Sequence, residues 1–326
     1  MTEKIQHQGI IPENLAGLRL DQALSKLFPQ YSRTQIQEWI KSKKVLLDNT
    51  LPKTRYIVLG GEEVNIAASL KPQPQWAAQA IELDVLYEDE AILVINKPIG
   101  MVVHPAAGNF DSTLLNALLH HAPTLHELPR AGIVHRLDKN TSGLLVIAKT
   151  TEALHHLSEQ IKARTVTRIY QAVVFGILMS GKTVTAPIGR HPMQRKRMAV
   201  IDNGKIAITH FRIMERYRAH TRIKVKLETG RTHQIRVHMA HIHHAILGDP
   251  VYAGRLQLPK GATPELIDML RTFKRQALHA SELGIIHPTT NEAMKWKAPL
   301  PQDMQDLIAC LRNDTPSFNA EDHYDD

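Results

Sequence analysis

The sequence predicts an α+β protein in two domains, and three features carry that prediction. Amphipathic stretches at helical spacing and short strands with alternating apolar residues follow one another along the chain. A length of 326 residues suits two domains better than one. Between them runs SLKPQPQWAAQA, residues 69–80, whose two prolines and three glutamines show no periodicity and read as a linker. The division is therefore 1–68, a linker at 69–80, a larger domain at 81–313 and an acidic, disordered tail at 314–326.

The first domain reads as helices followed by short strands. Leu20, Ala23, Leu24 and Leu27 recur at helical spacing. Ser32-Arg33-Thr34-Gln35 has the form of a capping box, followed by an Ile36, Trp39, Ile40 stripe. Arg33, Gln37 and Lys41 lie four apart and share the other face of that helix, and Lys43 and Lys44 follow it. An isolated lysine is usually only solvated. Four cations this close, Arg33, Lys41, Lys43 and Lys44, favour phosphate contact. Strands are expected near Val45–Leu47 and Val64–Ile66.

The second domain opens with strands near Val85–Tyr87 and Ile92–Ile95 and a Lys97-Pro98-Ile99-Gly100 turn. Ser112 is placed to cap a helix through Leu118. Next comes the stretch the domain serves, GIVHRLDKNTSGLLVIAK, residues 132–149. Leu144–Ala148 is a continuous apolar run suited to a strand buried on both faces, and the polar loop before it carries Asp138 between Arg136 and Lys139. Neighbouring cations favour an ionised carboxylate, available as nucleophile or base. A capped, ion-paired structural loop would look the same, and spacing alone does not separate the two. Leu154, Leu157 and Ile161 mark a helix, Tyr170–Phe175 a strand, and Ile223, Val225 and Leu227 the inward face of another. Residues 190–197, RHPMQRKR, form a basic loop in which Arg195, Lys196 and Arg197 stand without a nearby acid, and RNA clamping is the favoured reading. Gly230–Arg236 turns into a helix, and a last helix spans Pro301–Leu311.

A net charge of +8 points to a polyanionic partner. No apolar run approaches the roughly 20 residues that span a bilayer, the N-terminus lacks a signal core, and the single cysteine, Cys310, fits a reducing compartment. A cytoplasmic protein with no membrane partner is expected. His233, His238, His241, His243 and His244 tempt a metal reading, but no HExxH pattern or nearby cysteine supports it, and no metal is assigned.

HRLDKNTSGLLV, residues 135–146, and TGRTHQIRVHMA, residues 229–240, resemble the signature of the large-subunit type of ribosomal and transfer RNA pseudouridine synthases. The first domain resembles the small RNA-binding domain named after ribosomal protein S4. The resemblance implies an S4-like domain followed by a catalytic domain built on a mixed, mainly antiparallel sheet. It implies an enzyme that isomerises uridine to pseudouridine in large-subunit ribosomal RNA, most closely the stem-loop at the subunit interface, as a monomer without a cofactor. Within it, Asp138 carries the chemistry, Tyr170 stacks on the target uracil, Arg231 pairs with the catalytic carboxylate and Ile235 lines the uracil pocket. Arg136 is the candidate to fill the gap left by the flipped base. The alternative is a noncatalytic RNA-binding or ribosome-assembly protein that keeps Asp138 only structurally.

Overall fold

A computed structural model describes residues 4–31, 33–53, 55–69, 76–106, 108–194 and 197–315. The chain divides into two units, residues 1–75 and 76–326.

In the first unit, strand β1 (Lys4–Ile10) is followed by helices α1 (Leu20–Leu27) and α2 (Arg33–Lys41) and strands β2 (Val45–Leu47) and β3 (Glu63–Ser69). The three strands form one sheet in the order β1-β3-β2. The predicted stripes meet in its core, where Leu20, Leu24, Ile36, Trp39 and Ile40 pack with Val45, Val64 and Ile66. Strand β1 escapes sequence reading because, of residues 5–10, it buries Ile5 alone; its antiparallel ladder to β3 holds it in place. Asp21, wholly buried, accepts from Arg33 Nε at 2.7 Å and from Arg19 Nε at 3.0 Å. Burial pushes its pKa up, but hydrogen bonds from Gln37, Arg33 and Arg19 outweigh that and hold it at about 2. Arg33 therefore has a structural partner as well as an exposed flank, whereas Lys41, Lys43 and Lys44 are exposed. The Ser32 cap lies outside the described residues.

The second unit opens with β4 (Val85–Glu88), β5 (Ile92–Lys97), helix α3 (Leu114–His121), β6 (Ser142–Ala148), α4 (Thr151–Ala163) and β7 (Thr167–Phe175). It continues through β8 (Lys182–Arg190), β9 (Met198–Val200), β10 (Lys205–Arg216) and β11 (His220–Leu227). Helices α5 (Gln234–His241) and α6 (Pro264–Thr272), strands β12 (Leu278–Ile286) and β13 (Ala293–Lys297) and helix α7 (Gln302–Asp314) complete it. Ten strands form one sheet in the order β4-β5-β6-β12-β7-β11-β10-β8-β9, with β13 paired to β12. The β6–β12 pair is parallel and the other pairs are antiparallel, which is the mixed, mainly antiparallel α+β arrangement expected.

The buried apolar run of β6 has a simple cause. Leu145 and Ile147 face the cluster under α3, while Leu144, Val146 and Ala148 face the cluster under α4, so neither side of the strand meets water. On β11 the alternation is one-sided, with Ile223, Val225 and Leu227 buried and Lys226 exposed.

Three sequence expectations change here. Thr113, not Ser112, caps α3, its hydroxyl accepting from Asn116 N; Ser112 instead takes a left-handed φ of 52° and donates its N–H to Gln79 Oε1. Part of the linker is docked on the second unit: Asn116 donates to the Ala77 carbonyl, and Trp76 meets His104 edge-on at 5.9 Å. Asp314, assigned to the tail, is a buried member of α7 that accepts from Arg218 Nε at 2.7 Å; residues 316–326 lie outside the described residues. No helix among the described residues is long and apolar enough to cross a membrane.

Candidate active site

The loop bearing Asp138 is pinned at both ends by glycines that no other residue could replace. Gly132 has φ +73°, and a Cβ there would sit 1.9 Å from the Ala148 carbonyl oxygen; Gly143 has φ +114°, and a Cβ would sit 2.2 Å from the Ala280 carbonyl oxygen. The chain thus bridges from Ile133 to Ile147 of β6, passes through residues 134–141 and enters β6 at Ser142 beside β12. Leu137 anchors the loop in the core, while Arg136 is exposed and Asp138 keeps 17% of its side chain open to solvent.

Asp138 opens onto a cleft of about 830 Å³. Arg136, Asp138, Tyr170, Arg231 and Ile235, the residues predicted from the second domain's two motifs and β7, all line it. Tyr170 and Ile235 are apolar walls, 7% and 4% exposed. Burial, the largest influence, raises the Tyr170 phenol's pKa; the charge of Arg168 lowers it and that of Asp138 raises it. Its hydroxyl is therefore neutral at physiological pH.

The arginine that holds the carboxylate is Arg236, correcting the expectation for Arg231. Arg236 Nη1 donates to Asp138 Oδ2 at 2.9 Å. The rest of its fork is bidentate to Asp249, with Nε to Oδ2 at 2.6 Å and Nη2 to Oδ1 at 2.9 Å. Burial works against the Arg236 charge, but Asp249 first and Asp138 second more than compensate, and its pKa lies above the ordinary value. Arg231 precedes the helix: its backbone N–H donates to Gln234 Oε1 at 3.0 Å, and its Nε reaches the Ile206 carbonyl at 3.4 Å. It sits on the wall of the cleft without touching Asp138.

Three further side chains meet here that sequence reading did not place in this site. Asp249 is buried and, besides gripping Arg236, accepts from the backbone N–H groups of Val251 and Tyr252. His233 Nε2 stands 3.9 Å from Asp138 Oδ1. Lys97, at the end of β5 and fully buried, donates to the carbonyls of Pro98, Met101 and Lys139 at 2.6, 3.0 and 3.2 Å, tying the β5 turn to the residue after Asp138.

Burial lowers the pKa of Lys97 from 10.5 to about 7, against the opposing pull of Asp138 and with a further push from Arg275. Between those two values the unfolded chain binds more protons at Lys97 than the native one. Stability therefore rises with pH across that window, by at most about 1.4 kcal/mol per pH unit. Lys97→Met removes this titration. In denaturant unfolding, the stability difference between wild type and variant is expected to move in favour of wild type from about pH 7 to 10.5. A pH-independent difference would contradict the assignment.

Of the other predicted RNA contacts, Arg195 and Lys196 lie outside the described residues. The Arg197 guanidinium stacks over the Tyr252 ring at 5.3 Å and donates to Gln194 Oε1, so it is partly committed within the protein. In the histidine-rich segment, His238 contacts Thr209 Oγ1 and the Ala186 carbonyl, and His244 contacts the Phe175 carbonyl. Among the described residues no three His, Cys, Asp or Glu side chains converge as a metal site would require.

A carboxylate held by a buried arginine, in an open cleft with an aromatic and an aliphatic wall, is equipped for nucleophilic or general-base chemistry. Residues 91–241 match the RNA pseudouridylate synthase family and residues 18–64 match the S4 domain. The Pseudomonas aeruginosa protein named ribosomal large subunit pseudouridine synthase D is 53% identical over 98% of this chain and 99% of its own. The protein of the same name from Escherichia coli strain K12 is 52% identical over 100% of this chain and 99% of its own. The solved structure of human RNA pseudouridylate synthase domain containing 4 is similar with a TM-score of 0.55 at 25% identity, covering 70% of this chain and 92% of that one. The chain belongs to the RNA pseudouridylate synthase family.

Proposed function

We propose that this protein isomerises uridines of large-subunit ribosomal RNA to pseudouridine, with Asp138 as the reacting group, and that its target is the stem-loop at the subunit interface. The observation that carries the reading is the carboxylate of Asp138, exposed to the cleft on one side and fixed by the Arg236–Asp249 pair on the other. The C1′–N1 bond breaks, the uracil turns within the cleft, and C5 bonds to C1′; the C5 proton is lost to solvent and N1 gains one. Atoms and electrons balance without an oxidant or an imported group. Asp138 has three routes: attack on C1′, abstraction of the C2′ proton, or addition to uracil C6. Tyr170 supplies the stacking surface, worth about 1–3 kcal/mol per base, against the few kcal/mol that extruding the uridine costs.

Arg136, exposed at the cleft, fills the space the base vacates. The exposed Lys41, Lys43 and Lys44 of the S4 unit contact phosphates and position the RNA without reading its sequence. The enzyme acts as a cytoplasmic monomer. One experiment tests the reading: release of tritium from uridine-C5-labelled RNA. Wild type is expected to act on large-subunit ribosomal RNA and not on small-subunit RNA. Arg136→Ala should lose more turnover than RNA affinity. Equal action on both RNAs would reject the target, and equal losses in turnover and affinity would reduce Arg136 to a phosphate contact.

A further inference from the structure

His233 occupies an unusual backbone position. It is the residue before α5, with φ 57° and ψ 22°, in the left-handed region. For a non-glycine residue this costs on the order of 1 kcal/mol, and such strain clusters at functional sites. Its consequence is to swing the imidazole between Asp138 and Tyr252. Nε2 lies 3.9 Å from Asp138 Oδ1, and Nδ1 lies 2.8 Å from the Tyr252 hydroxyl.

Tyr252 is itself fixed. Its backbone N–H donates to Asp249 Oδ1 at 3.1 Å, its ring lies beneath the Arg236 guanidinium at 5.0 Å, and its hydroxyl accepts from Met198 N at 2.9 Å. The hydroxyl has one proton, and His233 Nδ1 is the one acceptor it contacts among the described residues. With Nδ1 accepting, the imidazole proton sits on Nε2, toward Asp138.

We propose that His233, its tautomer set by Tyr252, is a positioning residue that donates Nε2–H to Oδ1 of Asp138 once uridine is bound. The carboxylate is then held by both oxygens, Oδ2 by Arg236 and Oδ1 by His233, and presents a defined lone pair to the nucleotide. The 3.9 Å gap closes as the filled cleft tightens, as hydrogen bonds of this kind do on substrate binding. This rests on the reading of Asp138 as the reacting group. The groups facing the imidazole are Asp138 and Arg136 from the catalytic loop, Arg236 from α5, and Asp249 and Tyr252 from the following turn. Burial, the largest influence, pushes its pKa down, Asp138 and Asp249 pull it up, and Arg236 and Arg136 push it down; the net is below the ordinary value, which leaves it neutral near pH 7.

A hydrogen bond from Tyr252 to Nδ1 stabilises the neutral imidazole, so Tyr252→Phe raises the pKa of His233. An imidazolium keeps Nε2–H but places a full positive charge beside Asp138 and weakens it as nucleophile or base. In the tritium-release assay, the acid limb of kcat should therefore move to higher pH in Tyr252→Phe, with kcat at its optimum reduced about tenfold and KM unchanged. His233→Asn suits the left-handed backbone and should lose about 10²-fold in kcat with little change in KM. Side-chain ¹⁵N spectra of the RNA-free, full-length protein should show His233 protonated on Nε2, the signal identified by its loss in His233→Asn. A proton on Nδ1, or wild-type kcat and acid limb in both variants, overturns the proposal. The tautomer is decided without RNA, so its failure is distinguishable from that of a wild type that released no tritium, which would sink the functional reading on which this proposal rests.

Discussion

Arg236→Met is expected to leave a folded but weakened protein that releases tritium from uridine-C5-labelled RNA at least about 10²-fold more slowly. Two losses combine. Asp138 loses the donor that fixes Oδ2 at 2.9 Å, so its carboxylate samples orientations that miss the nucleotide. Asp249, with a fully buried side chain, loses its guanidinium and keeps, among the described residues, the two backbone N–H donors of Val251 and Tyr252. Breaking a buried pair by removing one partner typically costs about 3–5 kcal/mol; the two remaining donors place the cost here at the lower end. Arg236→Lys should recover charge but not the fork, because an ammonium cannot serve Asp138 and both oxygens of Asp249 in one plane. Denaturant unfolding and tritium release, read on the same preparations, check both parts. Wild-type turnover in Arg236→Met would show that the ion pair only maintains the fold.

The same arginine shows where sequence reading stops. The loop around Asp138 was legible because a long aliphatic run must be a strand buried on both faces, and a polar segment at its end must be held yet open. Two arginines flank the start of α5, and nothing in their spacing says which turns inward. Helix α5 buries Gln234 through Met239 without interruption, so it has no polar face from which an inward side could be inferred. Arg236 was chosen by Asp249, a contact made only when the chain folds back over 13 residues. Lys97 was hidden for the opposite reason. A Lys-Pro-x-Gly run reads as a solvated turn, yet three carbonyls converge on the ammonium and draw it into the interior. In the first unit the helices were legible from Leu20, Leu24, Ile36 and Trp39, while β1 was not, since a main-chain ladder leaves little trace in side chains.

Asp138→Asn carries the largest expected effect, a loss on the order of 10⁴-fold or more, the scale seen when an essential group of a catalytic unit is removed. The substitution preserves size and leaves an amide oxygen to accept from Arg236. Fold, cleft and RNA affinity should therefore survive. What it removes is the only ability the three proposed routes share, that of a carboxylate to attack C1′, take the C2′ proton or add to C6. A noncatalytic RNA-binding protein would be indifferent to the change. The deciding measurement is tritium released from C5-labelled large-subunit ribosomal RNA by wild type and by Asp138→Asn at matched RNA binding. The account predicts release by wild type and none above background by the variant; equal release by both would contradict it.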